Sequence, residues 1–145
     1  MNPIPTQSSP WFEYYVHVQP RHTDYAGVVW HGSCLEWMEA ARIAAFRTVG
    51  LEYSELVQVG CDLPVIDVSV RYQKVIKMGE VAIVKSRISR FEKVRLYWDQ
   101  QVFCADDKKP CIVGEVTLVP VQSESGRILR RLPQLLQDAV DKILC

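Results

Sequence analysis

The residues best suited to chemistry lie close together, in a polar stretch that is followed by an amphipathic stretch. Asp24 belongs to a run rich in turn-forming residues, and a helical pattern starts at Ser33. A carboxylate can attack an acyl carbon or deprotonate a water molecule, and the free N–H groups at a helix start can stabilise the oxyanion that results. The segment therefore predicts carboxylate-catalysed hydrolysis of an acyl compound.

Other reactive side chains nearby are weaker candidates. Ser33 and Cys34 lack the strand–turn–helix context of a nucleophile elbow, so we expect no Ser or Cys triad. His22, His31 and Cys34 do not have the spacing of a zinc signature, so we expect no metal. We expect His22 at the surface, with assistance to the neighbouring carboxylate as the alternative.

Each of two carboxylates, Asp24 and Glu39, has an alternative role that the sequence allows. Asp24 could be only a turn former. Glu39 falls on the predicted helix and is a rival catalytic carboxylate, although we expect it to be the buried structural partner of Arg42, three residues further on. The residues alone leave these alternatives open.

The element that must position the loop of Asp24 is one long helix, predicted from Ser33 to Val49. Ser33 and Glu36 have the spacing of a capping box, and Gly50 ends the pattern. Four residues on its apolar stripe are expected to be buried: Leu35, Met38, Ala45 and Phe46.

Around this helix the sequence alternates with a period of two, which is typical of strands. The predicted strands are Trp11–Val18, Ile66–Tyr72, Val81–Phe91, Val94–Phe103 and Cys111–Val121, with a last helix over Pro133–Leu144. Short connections favour an antiparallel sheet, and one helix wrapped by one curved sheet is an α+β fold. Because the sheet edges need pairing, we expect a homodimer or homotetramer.

Composition sets the class of protein. The chain has 145 residues, 48% of them hydrophobic and 23% charged, and a net charge of zero, so no global field attracts nucleic acid or an anionic membrane. Five scattered cysteines without a C-x-x-C pair, and residues 1–11 without a secretory pattern, predict a cytoplasmic protein. Residues 1–10 are expected to be a flexible tail, and residues 11–145 one domain.

The motif around Asp24 resembles that of the 4-hydroxybenzoyl-CoA thioesterase family of hotdog enzymes. The residues that fall in register with the family pattern are Thr23, Asp24, Gly27, Val29, Trp30, His31, Glu39 and Arg42. The resemblance covers roughly residues 16–133. It implies a hotdog fold, in which a curved antiparallel sheet wraps a long central helix, and an acyl-CoA thioesterase that releases free acid and CoA.

The resemblance also implies roles for particular residues. Asp24 would act as nucleophile or as general base, and the backbone N–H of His31 would donate to the thioester oxygen. Since the capping box puts the helix start at Ser33, His31 would lie just outside the helix unless the helix begins a turn early. The expected substrate contacts are Tyr25, Trp30 and Pro64 for the acyl group and Lys93 and Arg95 for the CoA phosphates. No cofactor is needed, because water and the carboxylate suffice.

Other functions fit the same fold. A non-catalytic module that binds acyl-CoA is the alternative from another class. Within the enzymes, the alternatives are a dehydratase, which the Asp-x-x-Gly motif disfavours, a thioesterase acting on acyl-carrier protein, and a thioesterase for an aromatic CoA ester such as dihydroxynaphthoyl-CoA.

Overall fold

A five-stranded antiparallel sheet and one long helix form the frame of the molecule. The computed structural model describes residues 10–144, so nearly all of the tail predicted for residues 1–10, and Cys145, lie outside the described residues. The elements in chain order are β1 (Phe12–His17), a short 3-10 turn (Pro20–His22), α1 (His31–Thr48), α2 (Tyr53–Gln58), β2 (Cys61–Asp62), β3 (Val65–Tyr72), β4 (Val81–Glu92), β5 (Arg95–Cys104), β6 (Ile112–Leu118), β7 (Val121–Gln122) and α3 (Gln134–Leu144).

The sheet has the strand order β1-β4-β5-β6-β3, and all of its neighbouring strands run antiparallel. β2 and β7 pair separately as a small ribbon. The predicted α+β arrangement is confirmed. β3 is an edge strand, and no strand within residues 10–144 pairs with its outer side, which leaves the backbone groups there free to pair. No helix within these residues is long and apolar enough to span a bilayer.

The core lies between α1 and one face of the sheet. Met38, Ala45 and Phe46 of α1 are buried as predicted, and the ring of Phe46 meets Trp98 of β5 edge to face with centroids 5.5 Å apart. Leu35 is 40% exposed, so its predicted burial is wrong for a single chain. Its side chain lines a depression between α1 and β3, which residues 10–144 leave open.

A buried polar network links α1 to the middle of the sheet. The Arg42 guanidinium donates to Gln100 Oε1 at 3.0 Å, and Gln100 Nε2 donates to Ser86 Oγ at 2.8 Å and to the Met38 carbonyl at 2.9 Å. Burial lowers the pKa of Arg42. Glu39 is exposed and Arg42 binds Gln100, so the predicted buried Glu39–Arg42 pair is wrong in the single chain.

Three further differences from the predicted elements have physical reasons. α1 begins at His31, and Ser33 Oγ donates to the carbonyl of His22 instead of capping the helix. The short α2 was not predicted, because six residues are too few to show a helical period. Reciprocal hydrogen bonds between Glu52 and Glu55 stabilise its start. β3 was expected to be half-buried, but almost every residue in it is exposed, since one chain offers its apolar residues no cover.

Candidate active site

Asp24 lies in a tight turn that its own side chain closes. Its backbone N–H donates to the Val28 carbonyl at 2.9 Å, and the Gly27 N–H donates to the Asp24 carbonyl at 3.0 Å. Gly27 has a φ of +79°, a conformation that suits glycine. Asp24 Oδ1 accepts from the N–H groups of Ala26 at 2.9 Å and Val28 at 3.3 Å. Oδ2 has no partner within residues 10–144, and the side chain is exposed. The turn interpretation thus accounts for one oxygen and leaves the other available for chemistry.

The loop is held against the segment between β3 and β4. Val29 donates to the carbonyl of Ile76 at 2.8 Å, and Met78 donates to the carbonyl of Gly27 at 3.0 Å. An antiparallel bridge joins Val28 to Lys77. These backbone bonds fix the carboxylate relative to the sheet, although the loop itself is exposed.

The start of α1 provides free donors beside this loop. Trp30 is the N-cap residue, in an extended conformation, and His31 is the first helical residue. The N–H groups of His31 and Gly32 have no hydrogen-bond acceptor within residues 10–144, as expected for a first helical turn. The helix therefore begins early enough to include His31, and the N-cap predicted at Ser33 is wrong.

Trp30 lies across the helix start and depends on a glycine there. Its ring occupies the space where a Cβ on Gly32 would stand, and it meets the His31 ring edge to face with centroids 5.3 Å apart. The indole is 47% exposed. The absence of a side chain on Gly32 thus leaves room for the Trp30 ring at the start of α1.

An open cavity of about 560 Å³ joins the loop, the helix start and the end of β3. Three of its lining residues are the predicted Asp24, Trp30 and His31. The other lining residues are Val29, Cys34, Tyr72, Gln73, Lys74, Val75, Ile76 and Ile112. Asp24, the first residue of α1 and one lysine therefore line one space.

The four other predicted substrate residues lie outside this cavity in the single chain. Tyr25 follows Asp24, but its side chain is fully exposed and does not line the cavity. Pro64 precedes β3, whereas the cavity adjoins the end of that strand. Lys93, with a φ of +57°, lies in the β4–β5 turn, and Arg95 is the first residue of β5, so both lie at the far end of β4 from the loop of Asp24.

His22 is buried, so the expected surface position is wrong. Its Nδ1 accepts the Gln19 N–H at 3.0 Å, and its ring meets Trp37 edge to face at 5.2 Å. Its backbone carbonyl accepts from Ser33 Oγ at 2.9 Å and from the Trp30 N–H at 3.2 Å. Burial lowers the pKa of His22, and the neighbouring Arg21 adds to the effect. His22 thus ties the 3-10 turn before the loop to the helix after it.

Sequence reasoning missed the wall formed by the end of β3. Tyr72 donates from its hydroxyl to the His31 carbonyl at 3.2 Å, and Gln73 and Lys74 continue the wall. The only signal for them was their position directly after a predicted strand. Cys34 also lines the cavity, but burial raises its pKa to about 12, so it is a poor nucleophile at neutral pH.

One long helix packed on a curved antiparallel sheet, with a carboxylate loop at the helix start, is the hotdog arrangement. The chain belongs to the thioesterase-like superfamily, whose family model matches residues 18–142. A Staphylococcus aureus DHNA-CoA thioesterase shares the fold with a TM-score of 0.84 at 23% identity, over 92% of this chain and 90% of that one.

Two bacterial relatives are similar in sequence. "Putative esterase sll0410" of Synechocystis is 44% identical over 133 residues, which cover 92% of this chain and 80% of that protein. "Putative acyl-CoA thioesterase YneP" of Bacillus subtilis is 30% identical over 88 residues, which cover 61% of this chain and 64% of that protein. The family and its relatives thus point to a hydrolase of esterase or thioesterase type.

Proposed function

We propose that this protein is an acyl-CoA thioesterase in which Asp24 does the chemistry. The observation that carries the proposal is the shared cavity: Asp24, with one oxygen unengaged, and His31, whose N–H has no acceptor within residues 10–144, line the same 560 Å³ space. Hydrolysis of a thioester needs a base or nucleophile and a stabiliser of the oxyanion, and both lie at this site.

The reaction follows from that placement. A thioester carbonyl oxygen directed at the His31 N–H would be polarised by the donor and by the positive end of the helix. Asp24 then either attacks the carbonyl carbon, expelling CoA as its thiolate and leaving a mixed anhydride that water hydrolyses, or deprotonates the water that attacks. Both routes give the free acid and CoA, and both need no cofactor.

An exposed apolar flank on the other side of α1 favours assembly with a second copy, which the proposal includes. Beside β3, a second depression of about 330 Å³ is lined by Leu35, Val65 and Val68, each at least 40% exposed, together with Met38 and Arg42. A second copy pairing along the free edge of β3 would cover these apolar side chains. Because the single chain keeps Lys93 and Arg95 away from the cavity, these cations can bind CoA phosphates at this site only from another subunit.

The test is a thiol-release screen on the full chain. Aliphatic, benzoyl, phenylacetyl and dihydroxynaphthoyl CoA esters are compared, the last because of the aromatic walls of Trp30 and Tyr72 and the DHNA-CoA thioesterase of the same fold. We expect turnover of at least one ester and its loss in Asp24→Asn. Asp62→Asn, an exposed aspartate away from the cavity, is the matched control. Tight acyl-CoA binding without thiol release would identify a binding module. The screen also includes an acyl thioester of acyl-carrier protein, and turnover of that thioester alone would identify the other thioesterase class.

A further inference from the structure

Two thiols and a carboxylate meet at the turn between β5 and β6. The Sγ atoms of Cys104 and Cys111 lie 3.4 Å apart, and Cys111 Sγ lies 3.7 Å from Asp107 Oδ2. All three ligand atoms lie within 4.8 Å of one another. Both cysteines are buried, whereas the turn between them is largely exposed. The proposed thioesterase reaction uses none of these groups.

These separations are close to those around one tetrahedral zinc ion. With Zn–S bonds of about 2.3 Å and Zn–O bonds of about 2.0 Å, two sulfurs lie about 3.8 Å apart and a sulfur and an oxygen about 3.5 Å apart. The two distances here differ from those values by a few tenths of an ångström. The third separation, between Cys104 Sγ and the Asp107 carboxylate, is within 4.8 Å, so a rotation that shortens it to about 3.5 Å places all three ligands on one ion.

The surroundings balance the charge of such an ion. Lys74 Nζ lies 2.8 Å from Asp107 Oδ2. Carboxylates that bind a metal ion typically also accept a hydrogen bond from a neighbouring group, as Asp107 does from this ammonium. Two thiolates and one carboxylate carry one more negative charge than zinc neutralises, and Lys74 supplies the missing positive charge. The whole group is then neutral, which suits a partly buried place.

We propose that Cys104, Asp107 and Cys111 bind one Zn²⁺ ion, with a solvent molecule in the open fourth position. The ion would join the end of β5 to the start of β6. The Cys111 carbonyl accepts from the N–H groups of Gln73 at 2.8 Å and Lys74 at 3.1 Å, both in the cavity wall. Zinc would therefore stiffen the wall opposite Asp24. The site stands whether or not the proposed reaction is correct.

The experiment is a cobalt and zinc titration of the full chain, reduced and freed of metal by chelation. We expect one equivalent of Co²⁺ to give thiolate-to-cobalt charge-transfer absorption with the strong visible bands of a tetrahedral site, and one equivalent of Zn²⁺ to remove both. Zinc should also raise the melting temperature. Cys111→Ser should abolish the charge-transfer absorption, and Asp107→Asn, which keeps both thiols, should weaken binding at least about tenfold.

Cys61→Ser is the matched control, because Cys61 is also buried but lies in β2, away from the cluster. It should bind cobalt like the natural chain. If the fully reduced chain shows no charge-transfer absorption with cobalt in excess, the proposal is overturned. An unchanged cobalt spectrum in Cys111→Ser, or an unchanged affinity in Asp107→Asn, would overturn it too.

Discussion

The hydroxyl of Tyr72 donates to the backbone carbonyl of His31 at 3.2 Å, which joins the last residue of β3 to the first residue of α1. This one contact couples the edge strand β3 to His31, the first residue of α1, which lines the cavity. The proposed association along β3 and the proposed donor at His31 are therefore physically linked.

Removing that hydroxyl tests the link. Because Tyr72 is half exposed, the bond is expected to contribute well under about 1 kcal/mol, so Tyr72→Phe should lower kcat by roughly threefold and leave KM nearly unchanged. Steady-state kinetics on the best CoA ester measures this. Tyr15→Phe, which loses an exposed hydroxyl bound to Glu13 on β1, should behave like the natural chain. Equal kcat in both variants would show that the contact does not position the donors.

The two carboxylates can be separated by isosteric substitution. Asp24→Asn should reduce kcat by at least about 10²-fold, since it removes a general base or nucleophile, with little change in KM. Glu39→Gln should keep most of the activity. His31→Phe should be milder than Asp24→Asn, because the donor is a backbone N–H. Near-normal turnover in Asp24→Asn with collapse in Glu39→Gln would move the chemistry to the helix.

Gly32 provides a test of the helix start. An alanine would normally stabilise a helix by up to about 1 kcal/mol, but at Gly32 its Cβ collides with the Trp30 ring. Gly32→Ala should lower the melting temperature, and the same substitution in a Trp30→Ala background should raise it. The double-mutant cycle in thermal unfolding isolates this coupling. Additive effects would mean that the ring moves aside at no cost.

His22 should make stability depend on pH. Its pKa in the folded chain is lowered by burial, so the unfolded chain binds the proton more readily. His22 makes its full contribution to the free energy of unfolding above a pH of about 6.5, the pKa of histidine in the unfolded chain. That contribution is lost as the pH falls through the lower pKa of His22 in the folded chain. Glu36 opposes the shift and Arg21 adds to it.

The free energy of unfolding, measured by urea titration between pH 7.5 and 5, should therefore decline less in His22→Gln than in the natural chain. His17→Gln replaces an exposed histidine on β1 and should keep the natural decline. If both variants match the natural chain, the burial of His22 does not govern acid sensitivity.

Assembly through β3 is tested with a charge on its apolar face. Val68 is 45% exposed, and Val68→Lys should shift a dimer or tetramer towards monomer in analytical ultracentrifugation and lower kcat. Val57→Lys adds the same charge at a residue that is 63% exposed on α2, and it should leave assembly unchanged. A natural chain that is fully active as a monomer at micromolar concentration would contradict the role of assembly.

Much of the fold was predictable because local patterns encode it. The alternation in Ile66–Tyr72 and the apolar stripe through Met38 and Phe46 reflect the periods of strand and helix, which depend on residues near in sequence. Asp24, Trp30 and His31, which the sequence predicted as site residues, line one cavity because loop, cap and helix start are consecutive in the chain.

What the tertiary structure decided depends on residues far apart in the chain. Ser33 looked like an N-cap, but the carbonyl of His22 lies within reach of its hydroxyl, so the helix starts at His31. Glu39 and Arg42 have the spacing of an ion pair, but Gln100 of β5 binds the guanidinium, and Leu35 lies on a flank that its own chain leaves open. The wall of Tyr72 and Lys74 faces Asp24 only because backbone bonds from the loop of Asp24 to residues 76–78 close the cavity. Sequence periodicity carries no information on such contacts, because the free energy of burial and hydrogen bonding depends on which distant residue arrives.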